Sequence, residues 1–529
     1  MLKLKEIPNL EGMEAAQAIG LWQLKRRQAL GLFAGAALVP WFGNPVSAAE
    51  DEGGVIKIVM PGGPASLDPL TGGQDTELKF LMPIFDTLIA WDSETLTAKP
   101  QLATGWTYQD PKTLVLDLRQ GVTFHDGTPF NAEAVKAHLD RARSPTSAVR
   151  SDLASIESVE VASDFKIVLH LNQPDSALPL ILSDRAGMVS SPTAVKAAGD
   201  AYKRQPVGAG PWKFTNWVEN DVVSVRRDDA YWQGKVALDG LDMKIIADPN
   251  TAARSVITGE NDFAHRLFPQ QKLVADRARK TQQINAPTMA AYQVVFNLSK
   301  PGLQDVKVRQ AINYAVDRDA FNKVSQLGLG TIASTLLPPG YWAHDSGVDN
   351  FYTHDPEKAR KLLADAGHAS GLDLELYGYT DQAAQQRSEL LIEQLRNVGI
   401  SVRLVAGVNA DINPRFFAKG EGDMCMTLWS GRPDPAQTFQ VMYSKEGFIN
   451  PGHVAPPEDV QQALKDVRAT DDQEKRKAAF ARLERLVLEN ALSVSLFFAP
   501  EIDILALKVK NFVPNVLGRP KFNEVRLEA

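Results

Sequence analysis

Leu372, Leu374 and Leu376 alternate with polar residues. Leu390, Leu391, Leu395 and Val398 then recur at helical spacing up to Gly399, and Ile400, Val402 and Leu404 alternate again. Two period-two runs around a helical run read as a βαβ unit, in which the strands are parallel and the crossover right-handed. The apolar run 424–428 that follows predicts another strand. The string Trp429-Ser430-Gly431-Arg432-Pro433-Asp434-Pro435 must end it, because two prolines and a glycine permit neither strand nor helix to continue. Those residues are therefore expected at the carboxyl edge of a sheet, where open α/β folds bind their ligands.

Other elements are legible from local chemistry. Residues 55–59 read as a strand, Leu114, Leu116 and Leu118 as alternate positions of a second, and 292–297 as a third. Helices are predicted after three capping aspartates. Asp248 precedes Pro249, with Gly259 closing that helix, and Asp355 precedes Pro356, with Gly367 at the end. After Asp305, Val308, Ala311, Ile312, Ala315 and Val316 form one apolar face, and Arg309, Gln310, Asn313 and Asp317 point away from it. A charged helix over 472–490 turns Phe480, Leu483 and Val487 inward. Gly208 and Gly210 lack the Lys-Ser/Thr of a phosphate cradle and read as a tight crossover. The polar, proline-rich stretch 444–459 is long enough for a functional or mobile loop.

With 44% apolar and 23% charged residues, the 529-residue chain has material for several cores. Near its start, Lys25-Arg26-Arg27 precedes a mildly apolar stretch and Val46-Ser47-Ala48, which reads as an export signal over 1–48 of the Tat or Sec type. The lone Cys425 lies far from that cleavage site, which excludes a lipid anchor of the usual kind and an internal disulfide. The net charge of −7 with no basic stripe argues against nucleic acid as a partner. His125-Asp126 has no second ligand pair at metal spacing, so Asp126-Gly127 reads as a turn. Neither metal nor cofactor is expected.

Taken together, Ser66-Leu67-Asp68-Pro69, the run 118–130, Pro206 to Trp212, Asp229-Ala230-Tyr231-Trp232, Thr258-Gly259-Glu260-Asn261-Asp262, the run 305–318 and the run 355–367 resemble the family 5 extracellular solute-binding proteins of ABC importers, in family order over nearly the whole chain after the signal. The resemblance implies a two-lobed α/β periplasmic-binding-protein fold of cluster C type with an extra α+β domain. Lobe I would comprise 49–95, 206–288 and 495–529, domain II 96–205 and lobe III 289–494. It implies a non-enzymatic, monomeric periplasmic receptor that captures a peptide-like or small organic solute, anionic ones included, by hinge closure and delivers it to the membrane permease.

In the family's peptide-binding members the place of Arg432 holds an aspartate that pairs with the peptide's α-amino group. Here the sign is reversed, so the ligand either lacks a free amino terminus at that point or presents an anionic or hydrogen-bond-accepting group to the planar guanidinium. Arg432 either meets the ligand or pairs with Asp434 or another loop carboxylate to stiffen the turn, and Trp429 either stacks on the ligand or belongs to the lobe III core. By analogy Ser430, Asp434, Tyr292, Asn450 and Phe268 join the cleft, with His265 and Arg266 approaching it. His265, on an ordinary segment, reads as a surface histidine. Two rivals are a secreted hydrolase, which would need a nucleophile elbow or metal motif that the sequence lacks, and a receptor for a metal chelate or haem.

Overall fold

The computed structural model describes residues 53–528 except Gln74, so the expected export signal lies outside the described residues. Three principal sheets organise the chain. A seven-stranded sheet runs in the order Thr281–Ala286, Glu501–Ala506, Phe263–Ala264, Val55–Met60, Gly240–Ile245, Val222–Arg227 and Trp212–Val218. Its central strand Val55–Met60 is parallel to Gly240–Ile245 and to Phe263–Ala264. Ile56, Ile58, Val59 and Met60 are all buried, which a strand covered on both faces requires.

An antiparallel four-stranded sheet follows the order Ala103–Asp110, Thr113–Leu118, Lys166–Leu171 and Ile156–Ser163. Leu114, Leu116 and Leu118 point into its core, against the helix Ala132–Ala142, whose first turn is capped by the side chain of Asn131. The third sheet has six strands in the order Thr331–Ile332, Ser493–Phe498, Ala291–Phe296, Met424–Trp429, Leu372–Tyr379 and Ile400–Gly407. The βαβ unit is present as read. Leu372–Tyr379 is parallel to Ile400–Gly407, with the helix Gln382–Arg396 between them. Met424–Trp429 lies parallel on the other side, so the turn 429–435 leaves a strand's carboxyl end. Because Ser493–Phe498 belongs to this sheet, the chain returns to the seven-stranded sheet after Phe498, not at 495. The apolar run of that strand has its partner in Ala291–Phe296, which fixes the change-over.

The capping aspartates act as expected. Asp248 accepts from Thr251 N, Asp305 from Lys307 N and Asp355 from Lys358 N. One helix face was misread. Arg309 and Asn313 are buried like their apolar neighbours on Val306–Ala315, because each satisfies otherwise orphaned carbonyls. Arg309 donates to the carbonyls of Leu303, Gln304, Asn490 and Ala491, and Asn313 to that of Ser493. Gly208 is obligatory in its crossover, since a β-carbon there would stand 2.2 Å from Ile84 O.

Several of the quoted motif residues hold this framework together. Asp68 receives both terminal nitrogens of Arg141 at 2.8 and 2.9 Å, joining the N-terminal segment to the Ala132–Ala142 helix. Tyr231 and Trp232 both donate to Asp86. Burial pushes that carboxyl up to about 6, with those hydrogen bonds opposing the shift. Among the described residues no helix is long and apolar enough to cross a membrane.

Candidate functional site

The turn 429–435 takes its shape from its ends. Gly431 has φ +80°, and a β-carbon there would lie 2.8 Å from Met289 Cβ, so only glycine lets the chain turn against that neighbour. Pro435 opens the helix Pro435–Tyr443 and Asp434 caps it, accepting from Ala436 N at 2.9 Å. Between these fixed points Arg432 is half-buried, with its guanidinium carbon 4.6 Å above the Trp429 ring. Its Nη1 donates to Gly431 O at 3.2 Å.

Arg432 does not pair with Asp434. That carboxylate is fully buried and taken by Arg476, whose Nη2 reaches both of its oxygens at 2.9 Å. Arg432 instead lines a cavity of ≈ 270 Å³ bounded by four stretches of the fold. Gly72, Gly73, Asp75 and Leu78 come from the segment after the strand Val55–Met60, and Ala148, Val149, Ser151 and Asp152 from the loop after the helix Ala132–Ala142. Ile181, Asp184 and Arg185 flank a short helical turn, and Phe448 joins Arg432 from the lobe of the six-stranded sheet.

Most charges on these walls are already matched. Asp75 meets Lys79 at 2.7 Å, Arg266 at 3.3 Å and Arg519 at 3.4 Å. Burial alone would raise its pKa, but these cations outweigh burial and hold the carboxyl well below the usual range. Asp184 pairs with Arg519 at 3.1 Å, and Arg185 with Glu77 at 3.1 Å. Asp184 is also held low despite its burial, by Arg519 first and by Arg432 second. Arg432 and Asp152 are the lining charges without an ion pair among the described residues.

The other residues expected at the cleft lie elsewhere. Trp429 is a shelf rather than a free stacking surface, since one face carries Arg432, Nε1 donates to Thr438 Oγ1 and the ring tilts against Phe448. Ser430 is half-buried in the turn and does not border the cavity. Tyr292 is paired in register with Leu428, whereas Ala291 is paired with Trp429, so the period of two sends Tyr292 to the opposite face. There it packs between Arg387 and Phe497.

Asn450 braces its own loop, donating to Ser444 O and Val454 O, which makes the polar stretch 444–459 a tied structure. Phe268 is the residue preceding the helix Pro269–Ala278 and does not reach the cavity. His265 is fully buried, with Nδ1 3.0 Å from Asp503 Oδ1 and 3.2 Å from Glu501 Oε1. With Glu501 and Asp503 it forms the one cluster of three potential metal-ligating side chains among the described residues, held together at hydrogen-bond distances. Arg266, by contrast, does reach the cavity wall, through its pairing with Asp75. Asp75, Asp152, Asp184 and Arg185 went unnoticed in the sequence because they lie in turns and short segments with no motif.

Residues 97–450 match the family described as bacterial extracellular solute-binding proteins, family 5, Middle. The glutathione-binding protein GsiB of Salmonella typhi is 31% identical over 395 residues, covering 73% of this chain and 76% of that protein. GsiB of Shigella flexneri is 32% identical over 377 residues, covering 69% and 72%. Among solved structures, the binding protein AgaA from A. tumefaciens R10 in complex with agropinic acid superposes with a TM-score of 0.81 at 24% identity, covering 90% of this chain and 99% of that one. The ABC transporter-associated periplasmic binding protein DppA from Helicobacter pylori, in complex with the peptide STSA, gives 0.81 at 22%, covering 90% and 98%. These structures share the two-lobed architecture.

Proposed function

This chain belongs to the bacterial extracellular solute-binding proteins of family 5, substrate-binding proteins of ABC importers rather than enzymes, and we propose that it captures a small peptide-like solute through a carboxylate held by Arg432. The observation that carries the reading is an arginine that borders the interlobe cavity and has no ion pair with a carboxylate among the described residues, the nearby Asp434 being committed to Arg476. A guanidinium braced on an indole is pre-oriented, so less conformational freedom is lost when it grips a planar anion. The cavity of ≈ 270 Å³ suits a solute of short-peptide size. GsiB's ligand, glutathione, carries two carboxylates on a backbone of that length, in keeping with this class.

Captured in the periplasm, the solute would be enclosed by hinge closure of the lobes and passed to the permease. A thermal-shift screen of the chain without its signal against short peptides, opines and organic acids tests the reading, because a solute bound only by the folded state raises the melting temperature by mass action. Carboxylate-bearing solutes are expected to stabilise the protein and their carboxamides not to. Arg432→Ala is expected to weaken the best of them by on the order of 30-fold or more. Equal binding of acid and amide, or unchanged affinity in Arg432→Ala, would overturn the assignment.

A further inference from the structure

We propose that Asp152 is a second, cation-binding pole of the solute site, so that the cavity selects zwitterions with a carboxylate toward Arg432 and an ammonium toward the loop 148–152. The proposal rests on the reading of Arg432 above and adds the substrate class to it.

Asp152 lies between the helix Ala132–Ala142 and the strand Ile156–Ser163, in a turn tied by its own N–H to Val149 O at 3.0 Å. Asp152 lines the cavity from a loop beside the four-stranded sheet, whereas Arg432 reaches it from the end of a strand of the six-stranded sheet. The other carboxylates there, Asp75 and Asp184, hold cations within 3.4 Å, and Asp152 has none among the described residues. Burial pushes its pKa up, and the charge of Arg432 and a hydrogen bond from Gln437 offset only part of that.

A half-buried carboxylate with no cation in contact gains from a bound group that supplies the charge. Arg432 does not supply it directly, being drawn onto Trp429 with no ion pair to Asp152. Leu78, Val149, Ile181 and Phe448 complete the lining with apolar surface that suits the hydrocarbon between two charged ends. A solute with carboxylates alone would set one of them against Asp152, so the pair of poles discriminates as well as attracts.

The test uses glutathione, γ-glutamylglycine and glycylglutamate, each with its N-acetyl derivative, titrated calorimetrically into the wild-type protein, Asp152→Asn and Arg432→Gln. The expected result is that at least one free-amine probe binds the wild type and that N-acetylation weakens it by on the order of 30-fold. Asp152→Asn should bind the free and acetylated forms alike. Without any probe, Asp152→Asn should melt at a higher temperature than the wild type, because the uncompensated carboxylate has been removed.

Equal wild-type affinity for both forms, a preference that survives in Asp152→Asn, or no binding of any probe at about 1 mM would overturn the proposal. A lower melting temperature of Asp152→Asn would do the same. If the amine preference vanishes in Asp152→Asn while Arg432→Gln keeps full affinity for the acetylated probes, Asp152 stands and the carboxylate role of Arg432 falls. If Arg432→Gln loses both forms and Asp152→Asn keeps the preference, Asp152 falls alone.

Discussion

Replacing Asp434 by alanine separates a structural from a ligand-binding role for the most deeply buried charge of the 429–435 turn. The side chain of Asp434 is fully buried, and its partner Arg476 is 9% exposed. Alanine would strand the Arg476 guanidinium, leaving it the carbonyl of Val467 at 3.1 Å. Removing one member of a buried pair costs about 3–5 kcal/mol. The same substitution removes the cap of the helix Pro435–Tyr443, a loss of about 1 kcal/mol. Both effects come from one carboxylate and overlap, so the expected loss is about 4 kcal/mol.

Arg432→Ala makes the contrast, since it gives up one contact with Trp429 and one hydrogen bond at a half-buried site and should cost about 1 kcal/mol or less. Urea denaturation of the solute-free proteins reads the difference, and hydrogen exchange of the amides in Pro435–Tyr443 locates it. Asp434→Leu combined with Arg476→Met should recover most of the loss, because an apolar pair of similar volume avoids the desolvation of two charges. A loss of less than about 1 kcal/mol in Asp434→Ala together with loss of solute binding would refute the structural role, since the carboxylate would then serve the ligand.

Two further outcomes test the electrostatics away from the cavity. Burial lowers the pKa of His265, but Glu501 and Asp503 more than offset it, so the net shift is upward; burial and the charge of Glu501 raise Asp503 to about 6. The folded protein therefore holds protons that the unfolded chain has released, which adds stability below the ordinary histidine pKa and removes it as pH rises through the folded values. The melting temperature of the solute-free protein should rise as pH falls from about 8 to about 5.5, with a flatter profile in His265→Gln; parallel profiles would count against the cluster. Arg387 is 5% exposed, stacks on Tyr292 at 4.2 Å, and among the described residues its Nε and Nη1 find no hydrogen-bond partner. Arg387→Met should therefore leave the denaturation midpoint unchanged or higher, and a loss above about 1 kcal/mol would show that the guanidinium has a stabilising role its contacts do not reveal.

What could be read in the residues alone was whatever neighbouring residues decide. The alternation of Leu372, Leu374 and Leu376, the stop at Gly399 and the caps at Asp248, Asp305 and Asp355 depend on side-chain period and on hydrogen bonds within a few positions, and each stands in the fold as read. The exit of Met424–Trp429 into a rigid turn followed from two prolines and a glycine, and with it the position of Arg432 at a strand's carboxyl edge. The partner of each charge was not legible. Asp434 meets Arg476 across 42 positions, Asp75 meets Arg519 across 444, and Asp152 shares a cavity with Arg432 although they lie in different sheets' lobes. Arg309 and Asn313 looked solvated because their spacing excludes them from the apolar face, yet distant carbonyls draw them inside. Period and capping act over one or two turns of chain, whereas the state of a buried charge depends on which distant segments folding brings within about 4 Å of it.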